Sequence, residues 1–282
     1  MSTPATQPQF VPANLQYYSP PIDGTRPYTN INEVEGVPKR NWIPEEHVVQ
    51  IENLRGKETS VSLDTAGFGF YLNQPVKHKT FRNDEEIQQE YYPESAELIK
   101  KMTGASKVVL FDHTIRRRQP GQLDSDPSKR QPVPQVHVDQ TTESARTRVL
   151  RHLPESEARE LLKRRFQIIN LWRPISRPAF DWPLALCDYR SIDPKKDLTP
   201  VALVYPDREG ETLGVKYNPE HKWKYLRGMT PDEFVLIKCY DSKEDGSVSI
   251  LTPHTAFEDP STPPDALPRE SIELRALVFY DE

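Results

Sequence analysis

Short runs of alternating apolar and polar residues, broken by turn residues, recur along most of this chain. The segments 48–54 and 60–71 alternate well enough to predict strands. Residues 84–91 are acidic and then helical in composition; Pro93 opens a second helix over 94–102, and Gly104 is placed to end it. The run KVVLFDHTI at 107–115 predicts a strand leading into Arg116, Arg117 and Arg118. Helices are expected at 142–153 and 155–165, the second with Leu161 and Leu162 on its apolar side. Beyond them come strand-like runs at 166–172, 184–189, 201–205, 212–217, 223–226, 234–240, 248–251 and 271–280. Turn residues such as Asp241, Asp245–Gly246 and Pro263–Pro264 separate them. Regularly spaced short strands with turn signals point to a mainly β fold with flanking helices, a sandwich or jelly roll. There is no internal repeat and no helix–strand alternation of the kind a Rossmann sheet needs.

Residues 1–45 hold prolines, tyrosines and asparagines without a periodic apolar pattern. They read as an extended N-terminal arm wrapping one domain, 46–282. The segment 119–135 is polar and contains Pro120, Pro127, Pro132 and Pro134. Its length is one at which lids become common, so it is a candidate lid loop, although a solvated connection is the commoner role of such segments. With 28 prolines against 11 glycines, stiff irregular connections between short elements are expected.

Composition narrows the partners. The net charge of −5 lacks the basic excess of a nucleic-acid binder. No stretch approaches the roughly 20 apolar residues that cross a bilayer, and the N-terminus has no secretory pattern. Cys187 and Cys239 make no disulfide framework, which suits a reduced, cytoplasmic setting. Cys187, beside Asp188, has no nearby histidine to support a thiol nucleophile and reads as a structural cysteine. The expected partner is a small molecule, with neither nucleic acid nor membrane; the oligomeric state is left open.

Candidate chemistry begins at VPQVHVDQTT, where His137 and Asp139 stand two apart. On a strand such residues project from one face and can reach one metal. Alone, H-x-D is a weak signal, equally met as a histidine hydrogen-bonded to a surface carboxylate. Far downstream, at the end of a predicted strand, LTPHTAFEDP supplies His254. Two imidazoles and one carboxylate form the facial triad suited to Fe(II), leaving positions for a co-substrate and O2. In PRESIELRALVFY, Arg269, Ser271 and Arg275 share one face of the last strand. A guanidinium fork matches a carboxylate, so Arg269 with Ser271 reads as an anchor for the far carboxylate of 2-oxoglutarate. Arg275 is either a second contact or the anchor itself, and a salt bridge to Glu273 is the plain reading of a strand arginine. Asn170, Trp172 and Arg173 in INLWRPI are candidate pocket-lining, substrate-binding residues, although Trp172 is equally a core residue. His113 is a spare metal candidate, and Lys238 stands inside an apolar strand.

The segments HVDQTT, INLWRPI, DWPLALCDYRS, LIKCYDS, TPHTAFEDP and PRESIELRALVFY resemble, in this order, the asaB-type or CmcJ-like hydroxylase/desaturase family. The resemblance covers most of the chain from about residue 48. It implies a cupin-like double-stranded β-helix and an Fe(II)/2-oxoglutarate-dependent dioxygenase of secondary-metabolite biosynthesis. Such an enzyme hydroxylates or desaturates a small molecule and releases succinate and CO2. Matched motif by motif, it implies His137, Asp139 and His254 as metal ligands and Arg269 and Arg275 as co-substrate contacts. Three rivals stand beside it: a cupin-like metalloprotein without 2-oxoglutarate, a non-catalytic β-sandwich binding module, and a macromolecular demethylase. The last is disfavoured by the acidic balance.

Overall fold

The computed structural model describes residues 7–32, 35–122 and 129–281. Two sheets carry the molecule. The five-stranded sheet contains β4 (Phe68–Tyr71), β5 (Lys107–Arg117), β7 (Phe166–Pro174), β12 (Phe234–Asp241) and β14 (Glu270–Phe279), in the order β4-β12-β7-β14-β5. The larger sheet has nine strands. They are β1 (Phe10–Ser19), β2 (Tyr28–Asn30), β3 (Ile43–Asn53), β6 (His137–Val138), β8 (Leu184–Cys187), β9 (Leu198–Val204), β10 (Glu209–Val215), β11 (Trp223–Tyr225) and β13 (His254–Ala256). Their order is β1-β3-β11-β8-β13-β6-β10-β9-β2. These are the curled, mostly antiparallel sheets of a jelly roll.

Alternation along the strands sorts side chains between layers. On β7, Phe166, Ile168 and Trp172 join the main core with Val235 and Ile237 of β12 and Leu184 and Leu186 of β8. Ile169 and Leu171 face the other way, where Ile87, Tyr91 and Ile99 cover the outer face of the small sheet. The covering helix, Tyr92–Thr103, has Pro93 in its first turn and Gly104 as a left-handed C-cap (φ 72°), as its sequence predicts. Beside the main core the helix Thr142–His152 buries Ala145 and Val149. A capping box starts it: Thr141 Oγ1 accepts from Ser144 N (3.1 Å), and Ser144 Oγ accepts from Thr141 N (2.9 Å).

The N-terminal segment departs from the expectation of an aperiodic arm. Val11, Ala13, Leu15 and Tyr17 alternate inward, and β1 pairs with β3 over its whole length, Phe10 opposite Glu52 and Ser19 opposite Ile43. Pro12 and Asn14 obscure this pattern in the sequence; Pro12 is tolerated because β1 is an edge strand. The run 60–71 is a strand only from Phe68. A turn at Gly67 (φ +92°) precedes it, so close to the chain opposite that a Cβ there would overlap Thr252 Oγ1 and come within 2.7 Å of the Leu251 carbonyl oxygen. The expected strand at 248–251 is instead an irregular segment tied by single bonds, Ser249 N to Asp64 O and Ser249 Oγ to Leu63 O.

Part of the candidate lid, residues 123–128, lies outside the described residues. Its returning limb is pinned to the domain: Gln131 is buried and its side chain accepts from Gln119 N and donates to the Arg117 carbonyl. The Val133 carbonyl accepts from Ala256 N (2.9 Å). Among the described residues, no helix is long and apolar enough to cross a membrane.

Candidate metal and co-substrate site

β6 lies between β10 and β13, and its register places His137 directly opposite His254. The two imidazoles, remote in sequence, come to 4.5 Å between ring centroids. Asp139 follows two residues after His137, and one ligand atom from each of His137, Asp139 and His254 lies within 4.8 Å of the others. Each ring is turned by its Nδ1: that of His137 meets the Gln135 carbonyl at 2.8 Å and that of His254 the Thr252 carbonyl at 3.0 Å. A carbonyl can only accept, so Nδ1 carries the proton and Nε2 keeps its lone pair for a metal.

The carboxylate is split in the same way. Asp139 Oδ2 accepts from Asn170 Nδ2 at 2.7 Å, from the Cys239 thiol at 3.7 Å, and lies 3.8 Å from Arg275 Nε. Asp139 Oδ1 is left to face His137 Nε2 (3.3 Å) and His254 Nε2 (3.8 Å). Three lone-pair donors, two nitrogens and one oxygen, thus converge on one point, and this donor set fits Fe(II).

The electrostatics follow from burial against neighbours. Burial pushes the Asp139 carboxyl up, but the bond it accepts from His137 when, without a metal, that ring takes a second proton at Nε2, and the His254 and Arg275 charges, hold it well below the usual carboxylate range. Burial pulls His137 down, yet the bond and charge of Asp139 outweigh it and the group is raised. His254 is lowered by burial and by the neighbouring His137. Burial, aided by the Asp139 charge, raises the Cys239 thiol well above its ordinary value, so it stays protonated and donates.

A cavity beside the triad is lined by Val133, Trp172, Leu184, Arg269, Glu273 and Arg275 together with the three candidate ligands. The two arginines differ sharply. Arg275 is engaged by protein groups: Nη1 donates to Asp112 Oδ2 and Thr114 Oγ1, both at 3.0 Å, and Nη2 to Glu273 Oε1 at 2.8 Å. Although burial disfavours its charge, Glu273, Asp139 and Asp112 more than offset it, and its pKa is raised. Arg269 is also buried, but among the described residues its guanidinium donates only to the Trp182 carbonyl (2.5 Å), and its Nε has no partner there. The guanidinium sits 5.5 Å from the Trp172 ring centroid. Burial and the like charge of Arg116 lower its pKa to about 9. A buried cation with unused donors is a receptor for an anion.

Ser271 is buried on the same strand face, between Arg269 and Glu273. Asn170 reaches Asp139 rather than an open chamber, so in place of the expected substrate contact it makes a bond to the candidate ligand carboxylate. Trp172 is both core and cavity wall. Arg173 is a correction. Strand alternation sends it to the opposite face from Asn170 and Trp172, where its Nη1 donates to the Gln74 and Pro231 carbonyls, both at 2.8 Å, and it stacks over Phe234. His113 lies outside the triad and bonds the Tyr92 hydroxyl at 2.9 Å. Lys238 is fully buried in an ion pair with Asp241 (2.8 Å), away from the site. Glu273 is the notable addition; its parity with Arg269 and Arg275 on the last strand already places it on their face.

Comparison with known proteins shows the family. A family model described as an oxidoreductase/YMDC permease-like domain (YDMC) matches residues 15–279. The hydroxylase/desaturase efuI of Hormonema carpetanum is 35% identical over 99% of this chain and 98% of its own length. The hydroxylase/desaturase CTB9 of Cercospora beticola is 38% identical over 88% of this chain and 80% of its own. The Fe(II)/2-oxoglutarate-dependent dioxygenase nvfI of Aspergillus novofumigatus is 35% identical over 85% and 84%. A solved structure of the iron and alpha-ketoglutarate-dependent endoperoxidase NvfI superposes with a TM-score of 0.85 at 29% identity, covering 98% of this chain and 100% of that one. The chain belongs to the hydroxylase/desaturase family of Fe(II)/2-oxoglutarate-dependent oxygenases.

Proposed function

We propose that His137, Asp139 and His254 hold Fe(II), that Arg269 anchors 2-oxoglutarate, and that the enzyme hydroxylates or desaturates a small-molecule secondary metabolite. When bound, iron would let O2 act as the oxidant: O2 takes two electrons from 2-oxoglutarate, which leaves as succinate and CO2, and two from the substrate, where a C–H becomes C–OH or a C=C forms with loss of water. The protein's share is placement. The Gln135 and Thr252 carbonyls aim the two imidazoles. Asn170 and Arg275 secure Asp139 Oδ2, so that Oδ1 is the ligating atom. Arg269 offers its unused donors to the carboxylate that does not reach the metal, with Ser271 beside it on the strand. Val133, Trp172 and Leu184 keep water out of the cavity. Val133 belongs to the 119–135 segment, which supports a covering role for that loop.

The observation that carries this reading is the contrast between the two arginines. Arg275 is engaged by Asp112, Thr114 and Glu273, whereas among the described residues Arg269 is buried, cationic and short of partners in the same cavity as the triad. The test is Fe(II)-dependent conversion of 2-oxoglutarate to succinate. It should be abolished in His137→Ala and His254→Ala, and should need far more 2-oxoglutarate in Arg269→Gln. Equal succinate formation by the wild type and His254→Ala contradicts the assignment.

A further inference from the structure

A second cavity, of about 360 Å3, opens on the other side of Asp139, between the helix Thr142–His152 and the β9–β10 hairpin. Asp139 lines both this chamber and the one that contains Arg269, so the two meet at the metal-ligand carboxylate. One wall is the helix face formed by Ser144, Thr147, Arg148 and Arg151, spaced to lie together. Leu203 and Tyr205 supply an apolar wall opposite.

Four arginines and four carboxylates line this chamber, so its formal charges balance, but they are unevenly paired. Arg26 is committed to Glu209 (2.6 Å) and Glu211 (3.1 Å), and Glu211 also accepts from the Thr141 hydroxyl at 2.8 Å. Arg208 is held by Asp207 (3.3 Å) and lies 3.9 Å from the Tyr205 ring centroid. Glu143 is exposed at the start of the helix. Arg148 is different: half-buried, it has no ion pair or hydrogen bond among the described residues, and its one contact of that kind is with the Phe111 ring, 5.7 Å from the guanidinium carbon. Phe111 is itself stacked on His152 at 4.7 Å, so the aromatic shelf under the guanidinium is fixed. Arg151 stands one turn further along the same face. Two like charges at this spacing repel, and among the described residues neither forms an ion pair. Burial, with the Arg151 charge next, lowers the Arg148 pKa, and the charges of Tyr205 and Asp112, which favour the cation, do not offset it.

We infer that this chamber binds the substrate, that the substrate carries a carboxylate on an apolar body, and that Arg148 is the specificity-determining residue that receives that carboxylate. The inference rests on the oxygenase reading for its reaction but not for its binding test. A planar guanidinium offers a carboxylate two parallel hydrogen bonds, and the apolar wall of Leu203 and Tyr205 takes the rest of the molecule. Bound so, the substrate lies against Asp139 with its carboxylate on the helix side and its far end at the iron.

The test uses full-length protein loaded with Ni(II) in place of iron and saturated with 2-oxoglutarate, so that Arg269 is already occupied. Naphthalene-1-acetate and its neutral amide are titrated by calorimetry. The carboxylate should bind about tenfold or more tightly than the amide. That preference should vanish in Arg148→Gln and be partly restored in Arg148→Lys, while unfolding temperatures stay close to wild type. Equal binding of acid and amide to the wild type, or an acid preference that survives in Arg148→Gln, overturns the proposal. Loss of 2-oxoglutarate binding by the wild-type Ni(II) protein is a different result, which counts against the oxygenase site and not against the chamber.

Discussion

The bond from Asn170 to Asp139 is where the structure makes its sharpest demand. Asn170 is fully buried in β7, its Nδ2 lies 2.7 Å from Asp139 Oδ2, and its own Oδ1 has no partner. Replacing it with leucine keeps the volume, deletes the donor and removes the orphaned oxygen. Asp139 Oδ2 is then left with longer contacts, the Cys239 thiol at 3.7 Å and Arg275 Nε at 3.8 Å. A hydrogen bond to a charged acceptor contributes about 1.5–3 kcal/mol. At 1.4 kcal/mol per factor of ten, that corresponds to about 10- to 100-fold in an equilibrium constant. The bond also stabilises the metal-free carboxylate, so only part of this appears in metal affinity, through the freedom Asp139 gains to turn Oδ1 away from the imidazoles. Asn170→Leu should therefore weaken Fe(II) or Mn(II) binding by roughly tenfold, within the range usual for partners behind a ligand. The assay is anaerobic calorimetry on folded protein, with denaturant unfolding as the control. A folded Asn170→Leu protein that binds metal as tightly as wild type refutes the argument that this bond orients the ligand.

Other perturbations follow from the same geometry. Arg269→Met removes an underpartnered buried cation, so the protein without co-substrate should unfold at the same temperature or higher while losing the thermal stabilisation that 2-oxoglutarate gives wild type, as read by calorimetric melting. Asp241 is buried and accepts from Arg165 (2.7 Å), Gln167 (2.6 Å) and Lys238 (2.8 Å); burial raises its pKa, but these partners hold it below the usual value. Its stabilising contribution is thus fully present above about pH 4 and lost as pH falls through the depressed folded-state value. Asp241→Asn should cost about 3–5 kcal/mol at neutral pH in urea unfolding and flatten the acid side of the stability profile. An unchanged profile contradicts that assignment. Gly67→Ala forces a Cβ against Thr252 and the Leu251 carbonyl on a backbone at φ +92°, so stability should fall by about 2 kcal/mol or more and metal affinity with it, since the Thr252 carbonyl aims His254. Normal metal binding in that variant shows that the 251–254 segment absorbs the strain.

Much of the fold is legible in the chain because period-two alternation survives in the central strands: β7, β12 and β14 lie close to where their apolar runs predict them. Pattern reading misjudges the edges. β1 hides its alternation behind Pro12 and Asn14, while 248–251 looks like a strand yet is held by side-chain and single backbone bonds. At the site, H-x-D, the distant histidine and the arginines on one strand face are visible as residue types. Their convergence depends on β6 and β13 being neighbours, which no local pattern encodes. The division of labour between Arg269 and Arg275 was equally hidden, because it rests on Asp112 and Thr114 from β5. Arg173, by contrast, was decidable from parity alone: an odd-numbered residue on a strand whose even-numbered residues face inward points outward.

We propose above that the Asp139 carboxylate and two imidazoles hold an iron to which 2-oxoglutarate chelates. Anaerobic addition of Fe(II) and 2-oxoglutarate to metal-free protein tests it most directly, by the visible charge-transfer absorption such chelation produces. Wild type should show a band, Asp139→Ala none, and Arg269→Gln a band only at much higher 2-oxoglutarate. A band of wild-type strength in Asp139→Ala contradicts it.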